Sequence, residues 1–376
     1  MLLSILFLFL SVYIMRRCSS SFDIAANYLT RSFGEGVKGP TINAVASSLP
    51  ELLISSLFLF YFKDVVGFSA GYGTIIGSSA FNIALIPVIS FAYLFYKRGR
   101  STVFEINKHI VKQDSLFLIG SILILSLGFF FGVNFYLALF LILFYFIYIY
   151  YVIKTRVSKK EDDESLFFKN FIENHNLELK DKIIIAESDT LVSALLKFKL
   201  FRIFFKGEVN NFSSILVVFI SVFIIGTSCY LLVLATENIS DILGINLFFG
   251  AFIIAAIASS IPDTIFSIQD ANNDKFNDSF SNAYGSNIFD ICIGIGLPVL
   301  VYTSIYGPIN MDMPIERSGW IGDHIFGGNL FLWSLLTLCI FTILVSLVYY
   351  KRKLNLKSSV LIFILYLLFI LTLLIF

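Results

Sequence analysis

Four short phrases of this chain carry the residues that could do chemistry, and they form two matching pairs. ASSLPE at residues 46–51 returns as ASSIPD at 258–263, and GSSAFN at 77–82 returns as GSNIFD at 285–290. The phrases place carboxylates inside apolar stretches. At the centre of a membrane helix a charged side chain costs roughly 2.5 to 3.5 kcal/mol on insertion scales, so such residues are functional candidates by default. The candidates here are Glu51, Asp263 and Asp290.

Within each phrase a serine stands four residues before a carboxylate or an amide, so the two side chains share one face of a helix. We therefore expect four hydroxyl-plus-carbonyl pairs to converge. Their ligand atoms are all oxygens, which suits hard cations, Ca²⁺ above all, with Na⁺ as a competitor. The pairs are Ser47 with Glu51, Ser78 with Asn82, Ser259 with Asp263, and Ser286 with Asp290.

The two prolines add backbone ligands. Pro50 and Pro262 lack an N–H and clash with the carbonyl four residues earlier, so the carbonyls of Ala46 and Ala258 are predicted to be released. Unpaired backbone at membrane depth is tolerated only where it is buried in protein or lines a polar cavity, as in an ion site. Small residues let membrane helices approach closely, and we expect this of Gly71, Gly73, Gly77 and Gly285.

Composition identifies the surroundings of these phrases as a membrane domain. Hydrophobic residues make up 57% of the 376 residues and charged residues 14%, which is more apolar surface than a soluble domain needs. A helix of about 20 apolar residues spans the hydrocarbon core. The apolar runs predict an all-α, multi-pass membrane protein with about ten transmembrane helices, at residues 1–15, 39–62, 70–96, 115–131, 133–153, 212–236, 245–269, 279–303, 328–350 and 358–376.

Basic residues predict the orientation of these spans, because loops rich in Lys and Arg stay cytoplasmic. If the N-terminus is outside, all but Lys63 and Arg317 of the 27 Lys and Arg residues fall on the inner side. Ten spans then place both termini outside a cell membrane and the central loop in the cytoplasm.

This orientation also relates the two halves of the chain. The first Pro-Glu span runs outward and the Pro-Asp span runs inward, so the halves are inverted repeats, as in secondary transporters. We expect two inverted five-helix repeats joined by a cytoplasmic loop. The predicted units are 1–153 with its motif at about 39–90, the loop at 154–211, and 212–376 with its motif at about 250–300.

The doubled phrases resemble those of the cation/calcium exchanger superfamily, of which the sodium/calcium exchangers are best known. The two inverted alpha-repeats of that family read roughly Gly-Thr-Ser-Leu-Pro-Glu and Gly-Ser-Asn-Ile-Phe-Asn or Asp. The resemblance implies a secondary active antiporter, without a cofactor, that exchanges Ca²⁺ for Na⁺ by alternating access. Ca²⁺ extrusion driven by Na⁺ entry is the expected direction.

The resemblance also implies a ligand set. Glu51 and Asp263 would be the central Ca²⁺ carboxylates. The backbone carbonyls it implies are those of Ala44 and Ala256, whereas the prolines themselves point to Ala46 and Ala258. The calcium and sodium sites would be completed by Ser47, Ser48, Ser78, Asn82, Ser259, Ser260, Ser286 and Asp290.

Charge balance singles out Asp290 among the candidates. Three carboxylates would face a Ca²⁺ ion that neutralises two charges, and desolvation favours the neutral form of an acid when no cation is nearby. Asp290 stands where the first pair of phrases has the uncharged Asn82. We therefore predict that Asp290 carries a proton.

The central loop allows two interpretations. It holds an acidic cluster at 161–164 and a stretch at 197–206 that alternates basic with aromatic residues. The stretch fits a segment lying on the inner membrane surface, and the loop as a whole fits a solvated linker between the halves. The spacing of an EF-hand calcium loop is absent, so none is predicted.

Other chemistries find little support. No Gly-Lys dipeptide occurs, so there is no Walker A loop and no sign of ATP-driven pumping, and the four cysteines show no metal spacing or disulfide framework. A net charge of +1 gives no nucleic-acid footprint. We expect no enzyme activity and no nucleotide, with Ca²⁺, Na⁺ and the lipid bilayer as partners.

Two alternatives to sodium/calcium exchange stay open. The first is an exchanger of Ca²⁺ or another cation coupled to H⁺. The second is an intramembrane aspartyl protease, in which two carboxylates share a proton, although here Ser-x-Pro precedes the carboxylates instead of Gly-x-Gly-Asp. A channel is disfavoured because interrupted inverted repeats favour alternating access.

Overall fold

The computed structural model describes residues 1–29, 44–99, 103–156, 178–180, 183–185, 198–204, 210–272, 274, 276–309 and 330–375. In chain order the α-helices are α1 (Leu2–Leu29), α2 (Ala44–Ser47), α3 (Leu49–Phe62), α4 (Asp64–Arg98), α5 (Lys108–Phe131), α6 (Phe135–Arg156), α7 (Leu200–Phe204), α8 (Asn211–Leu243), α9 (Leu247–Gly250), α10 (Ala256–Ser259), α11 (Ile261–Asn272), α12 (Phe276–Phe289), α13 (Gly296–Tyr306), α14 (Leu330–Lys351) and α15 (Leu356–Ile375). Two π-helical segments, π1 (Ala251–Ala255) and π2 (Asp290–Ile295), join α9 to α10 and α12 to α13.

Long apolar helices confirm the predicted all-α membrane fold. In the described part of the chain, nine helical spans are long and apolar enough to cross a membrane, with α9–α11 and α12–α13 each counted as one. The remaining predicted span, 39–62, is represented by α2 and the shorter apolar helix α3. Helix α1 continues to Leu29, well past residue 15, because Arg16 and Arg17 end the apolar run without ending the helix.

Both proline motifs interrupt their helices in the same way. Ser48 separates α2 from α3, and Ser260 separates α10 from α11. Pro50 and Pro262 are each the second residue of the helix that follows. A proline in the first turn of a helix removes no intrahelical bond, since the N–H there would have no partner. Each proline therefore begins a new helix, and the break falls at the serine two residues earlier.

Helix α4 contacts the second half of the chain through glycines. A Cβ atom at Gly77 would lie 2.1 Å from the carbonyl oxygen of Phe252, and one at Gly73 would lie 2.7 Å from that of Phe248. Only glycine lets α4 pass this close to π1 and α9. The predicted role of glycine in close helix approach is confirmed at these two positions.

One face of the membrane domain is rimmed by charged residues at helix ends. Arg98 at the end of α4 pairs with Asp274, and Lys353 pairs with Glu105. The chain crosses twice, through α5 and α6, before it reaches Arg156, so the 154–211 segment leaves from this same face. We call it the loop face.

The predicted loop contains a hairpin and a docked helix. Strand β1 (Glu178–Lys180) pairs antiparallel with β2 (Ile183–Ile185). Farther on, the Ser21 hydroxyl of α1 donates to the carbonyl of Phe198 (3.1 Å) and accepts from the N–H of Leu200 (3.2 Å). The stretch that contains α7 is thus attached to the latter part of α1. The acidic cluster at 161–164 lies outside the described residues.

Candidate functional site

The ten predicted side-chain ligands are all fully buried, at 0% exposure. They lie at the two helix breaks, on α4 and α12, and at the first residue of π2. We call them the central oxygen cluster, which comprises Ser47, Ser48, Glu51, Ser78, Asn82, Ser259, Ser260, Asp263, Ser286 and Asp290.

Asp263 is the best-connected carboxylate of the cluster. Its Oδ2 accepts a hydrogen bond from the amide Nδ2 of Asn82 (3.1 Å), and its Oδ1 accepts one from the hydroxyl of Ser286 (2.9 Å). The Ser286 hydroxyl also lies 3.3 Å from that of Ser47, which itself lies beside Asp263. Residues of both halves therefore hold this carboxylate in place.

Glu51 and Asp290 are placed differently. All four of their carboxylate oxygens are buried and have no hydrogen-bond partner among the described residues. Ser259 lies beside Glu51, and Ser48 lies beside Asp290, each outside hydrogen-bond geometry. The two carboxylates interact electrostatically with each other and with Asp263. The cluster thus gathers three carboxyl groups, and among the described residues only that of Asp263 is held by hydrogen bonds.

Residues of the two halves face each other across the cluster. Glu51 of the first half meets Ser259 of the second, and the counterpart of Glu51, Asp263, meets Ser47, the counterpart of Ser259. This reciprocal pattern is what an inverted repeat produces when both copies contribute to one site.

Several neutral oxygens of the cluster also lack partners among the described residues. These atoms are the hydroxyls of Ser48 and Ser260 and the Oδ1 of Asn82. A buried polar atom left without a hydrogen bond costs about 1–3 kcal/mol. An array of such oxygens is unfavourable alone but is suited to coordinating a hard cation. Ser78 differs, because its hydroxyl donates to the carbonyl of Ile75 in its own helix (3.1 Å).

The backbone carbonyls implied by the family resemblance already accept hydrogen bonds. Ala44 accepts from the N–H of Ser48 (2.9 Å) and the hydroxyl of Ser47 (3.3 Å). Ala256 accepts in the same way from the N–H of Ser260 (3.1 Å) and the hydroxyl of Ser259 (3.2 Å). A carbonyl oxygen with two donors has little capacity left for an ion in this conformation.

The carboxylates do not form a compact metal centre by themselves. Among the described residues, no group of three or more His, Cys, Asp or Glu side chains is placed to hold a metal ion. A cation bound here would take much of its coordination from hydroxyl and amide oxygens, which are ligands that hard cations accept.

The sequence prediction missed Asn287. Its Oδ1 accepts from Nδ2 of Asn82 (3.0 Å), and its own Nδ2 donates to the carbonyl of Ser79 (2.9 Å). Asn287 therefore fixes the amide that holds Asp263. Comparison of the two halves did not reveal Asn287, because the corresponding residue of the first half is a serine, Ser79. The Ser79 hydroxyl is buried without a partner in the described structure.

Known proteins with similar sequences are exchangers. Sodium/potassium/calcium exchanger 2 of Homo sapiens is 38% identical over 77 residues, which is 20% of this chain and 12% of that protein. Sodium/potassium/calcium exchanger 1 of Bos taurus is 35% identical over 78 residues, 21% of this chain and 6% of that protein. The matches span only a small part of the length of these curated relatives.

Solved structures share the fold at low sequence identity. The crystal structure of the H⁺/Ca²⁺ exchanger CAX is similar with a TM-score of 0.63 and 16% identity, over 99% of this chain and 80% of that one. The sodium-calcium exchanger NCX_Mj, soaked with 2.5 mM Na⁺ and 1 mM Sr²⁺, gives a TM-score of 0.59 and 18% identity over 98% of each chain.

The family assignment rests on nearly the whole chain. The family profile described as sodium/calcium exchanger protein matches residues 1–154 and 213–375, which include both halves of the central oxygen cluster and leave out only the connecting segment and the last residue. This multi-pass membrane protein belongs to the sodium/calcium exchanger protein family.

Proposed function

We propose that this protein is a secondary active antiporter that exchanges Ca²⁺ for Na⁺ across the membrane by alternating access. Membership of the family and the exchanger fold support transport over catalysis. The observation that carries the proposal is the buried cluster of oxygens, contributed by both inverted halves, in which Glu51 and Asp290 have no hydrogen-bond partner among the described residues.

In the proposed mechanism Ca²⁺ binds between Glu51 and Asp263, which neutralise its two charges. Asn82 and Ser286 hold Asp263 in position, so that only Glu51 must be oriented by the ion. Na⁺ ions compete for the same carboxylates together with the serine hydroxyls of both halves. The remaining side-chain ligands of the proposal are Ser47, Ser48, Ser78, Ser259, Ser260 and Asp290. The carbonyls of Ala44 and Ala256 join them in a conformation in which the present serine hydroxyl donors have turned away.

Alternating access is supported by the helix breaks. Single-residue breaks at Ser48 and Ser260 divide the site-bearing spans into two parts. Such breaks let one part of a span tilt while the other stays packed, which is how inverted-repeat transporters open a midplane site to either side. We propose the two repeats at 1–153 and 212–376 as the moving units.

For the coupling ion, the one that drives Ca²⁺ transport, we propose Na⁺. Na⁺ fits the neutral hydroxyl and amide oxygens around the carboxylates. H⁺ is the runner-up, because Asp290 offers a carboxyl group beyond the two that balance Ca²⁺. The curated relatives are named for sodium, potassium and calcium, so K⁺ is included as a third ion to test.

The test is uptake of radioactive Ca²⁺ into proteoliposomes loaded with Na⁺, beside identical vesicles that carry only a pH gradient. A third set adds K⁺ on the Ca²⁺ side. Uptake driven by Na⁺ and abolished by Glu51→Gln is the expected result. Uptake driven only by the pH gradient would replace Na⁺ with H⁺ as the coupling ion.

Failure of uptake under every gradient would overturn the proposal and return the intramembrane protease to consideration. That alternative has a separate test, because a protease would cleave a membrane-helix peptide in the same vesicles without any ion gradient. The Glu51→Gln variant serves both assays as the inactive control.

A further inference from the structure

We propose a second cation subsite, selective for Na⁺ over Ca²⁺, formed by Ser267, Ser279 and Asn282 between the central oxygen cluster and the loop face. It rests on the proposed exchange function and extends the path of the ion beyond the cluster. None of these three residues belongs to the doubled phrases.

The three side chains meet at the contact between α11 and α12. The Ser279 hydroxyl donates to the carbonyl of Ser267 (2.9 Å), and the Ser267 hydroxyl lies 3.4 Å from the carbonyl of Ser279. The amide Nδ2 of Asn282 lies 3.4 Å from the hydroxyl of Ser267. The two helices, which the Asp263–Ser286 hydrogen bond also joins, thus bring several oxygens together at one further level.

The side-chain oxygen of Asn282 indicates that a ligand binds at this level. Asn282 is fully buried (0% exposed), yet its Oδ1 has no hydrogen-bond partner among the described residues. Leaving this oxygen unsatisfied is costly, and a cation that it coordinates would remove the cost. Ser267 and Ser279 are buried as well, at 0% and 3% exposure.

The position of the subsite places it on the route to the loop face. Ser267 is one turn after Asp263 in α11, and Asn282 is one turn before Ser286 in α12, so the level lies about 6 Å from the Asp263–Ser286 hydrogen bond. Asp270, half-buried, follows one turn farther along α11. A polar line therefore runs from Asp263 toward the loop-face ends of both helices.

The inverted repeat supplies an internal comparison. Alignment of the doubled phrases makes Ser55 the counterpart of Ser267, Gly71 the counterpart of Ser279 and Thr74 the counterpart of Asn282. At Gly71 the helices touch, since an added Cβ would lie 3.0 Å from the Ser55 carbonyl oxygen. The Thr74 hydroxyl donates to Ala70 within its own helix (3.1 Å).

At the counterpart level the helices are thus in contact and the Thr74 hydroxyl has a hydrogen-bond partner. At the level of Asn282, by contrast, a buried amide oxygen has no partner among the described residues. This asymmetry predicts a cation subsite on the loop-face side of the central oxygen cluster and none at the counterpart level. Its ligands are hydroxyl, amide and carbonyl oxygens without a carboxylate, which favours a singly charged cation over Ca²⁺ because no negative charge offsets the second positive one.

The test measures the Na⁺ dependence of Ca²⁺ flux separately from each face. Proteoliposomes are assigned an orientation by proteolytic cleavage within the 154–211 segment, and Na⁺ is then varied on one side at a time. In Asn282→Ala the half-saturating Na⁺ concentration at the loop face should rise about fivefold, as expected for one lost neutral ligand. At the opposite face it should stay at the wild-type value.

Two further variants make the result specific. Thr74→Ala removes the counterpart hydroxyl and should leave the Na⁺ dependence unchanged at both faces. Asn282→Asp keeps a side-chain oxygen and adds charge, so its half-saturating Na⁺ concentration at the loop face should equal or fall below that of the wild type. Thermal unfolding without Na⁺ identifies any variant that is merely misfolded.

The outcomes separate this subsite from the exchange function itself. A wild-type protein without Na⁺-driven flux would refute the proposed function. The subsite would be refuted if the wild type is active but Asn282→Ala changes the half-saturating Na⁺ concentration equally at both faces, or at neither. Ser267, Ser279 and Asn282 would then be interhelical contacts only.

Discussion

At the scale of single residues, the two central carboxylates, Glu51 and Asp263, differ in their hydrogen-bond partners. Asp263 accepts hydrogen bonds from Asn82 and Ser286, whereas both oxygens of Glu51 are without a partner in the described structure. Removing a buried, unpaired charge relieves a desolvation penalty, but removing an acceptor leaves its donors unsatisfied. The two acids should therefore respond in opposite ways to neutralisation.

This contrast predicts a split between stability and transport. Glu51→Gln should abolish Ca²⁺ uptake yet melt at or above the wild-type temperature in Ca²⁺-free buffer. Asp263→Asn should abolish uptake and lose about 1–3 kcal/mol of stability. Thermal unfolding with and without Ca²⁺ provides the measurement. Ca²⁺ at a hundred times its dissociation constant should stabilise the wild type by about 2.7 kcal/mol and Glu51→Gln hardly at all.

Equal destabilisation by both substitutions would contradict this account, since it would mean that Glu51 has a structural partner comparable to those of Asp263. Ser56→Ala is a suitable control, because Ser56 lies in the same helix as Glu51 and its hydroxyl, within the described part of the chain, donates only to the carbonyl of Leu52 in that helix.

Asp290 leads to a prediction about pH. It corresponds to Asn82, lies beside Ser48 and has no hydrogen-bond partner among the described residues. If Asp290 takes up a proton when Ca²⁺ leaves, then acid favours the empty site, and uptake should fall as the pH decreases. Asp290→Asn has no such proton, so this part of the pH profile should flatten. Profiles of Ca²⁺ uptake against pH for wild type and variant decide the matter.

The exposed Asp241, at the end of α8, provides the matched control for Asp290. Asp241→Asn removes an acid outside the cluster and should keep the wild-type profile. An unchanged profile in Asp290→Asn would exclude Asp290 as the proton carrier.

At the scale of the elements, the sequence predicts what depends on local pattern. Apolar runs locate the spans because burial in lipid requires them, and the doubled phrases locate the breaks because proline is confined to the first turn of a helix. The pattern could not place the end of α1 at Leu29, since charged residues continue a helix after it leaves the hydrocarbon. Nor could it find Asn287, whose role depends on contact with Asn82 from another helix.

The contact of α4 with the second half yields a prediction at this scale. A Cβ at position 77 would lie 2.1 Å from the Phe252 carbonyl oxygen and 2.7 Å from Cβ of Ala256. Gly77→Ala should therefore push α4 away from π1 and α10, destabilise the protein by about 1–3 kcal/mol and reduce uptake, because α10 carries Ser259. Unfolding temperature and Ca²⁺ uptake are the measurements.

Gly226 in α8 provides the comparison, because a Cβ there would meet nothing closer than Leu53 Cδ1 at 3.9 Å. Gly226→Ala should leave both quantities near their wild-type values. Similar losses in the two variants would indicate a general intolerance of alanine, and the close approach at Gly77 would then not be the cause.

At the scale of the whole molecule, the site exists only because the two halves are interleaved. Asp263 is held by Asn82 from the other half, and Asn287 reaches across to the backbone of Ser79. If the shorter α2–α3 segment is counted as a crossing beside the nine long spans of the described residues, the number of crossings is even and the two termini are expected on the same side. The basic residues predict that this side is the outer one.

The orientation can therefore be tested directly. Lys97, Arg98 and Lys353 gather at the loop face, where Arg98 and Lys353 form ion pairs with Asp274 and Glu105. A face rich in Lys and Arg stays in the cytoplasm, so both termini should lie outside. In intact cells, antibodies should label epitope tags at both termini, and external protease should spare the 154–211 segment until the membrane is permeabilised. Cleavage of that segment in intact cells would show that the protein has the opposite orientation. The Na⁺ subsite of Asn282 would then lie on the outer side, and external Na⁺ would reach it before reaching Asp263.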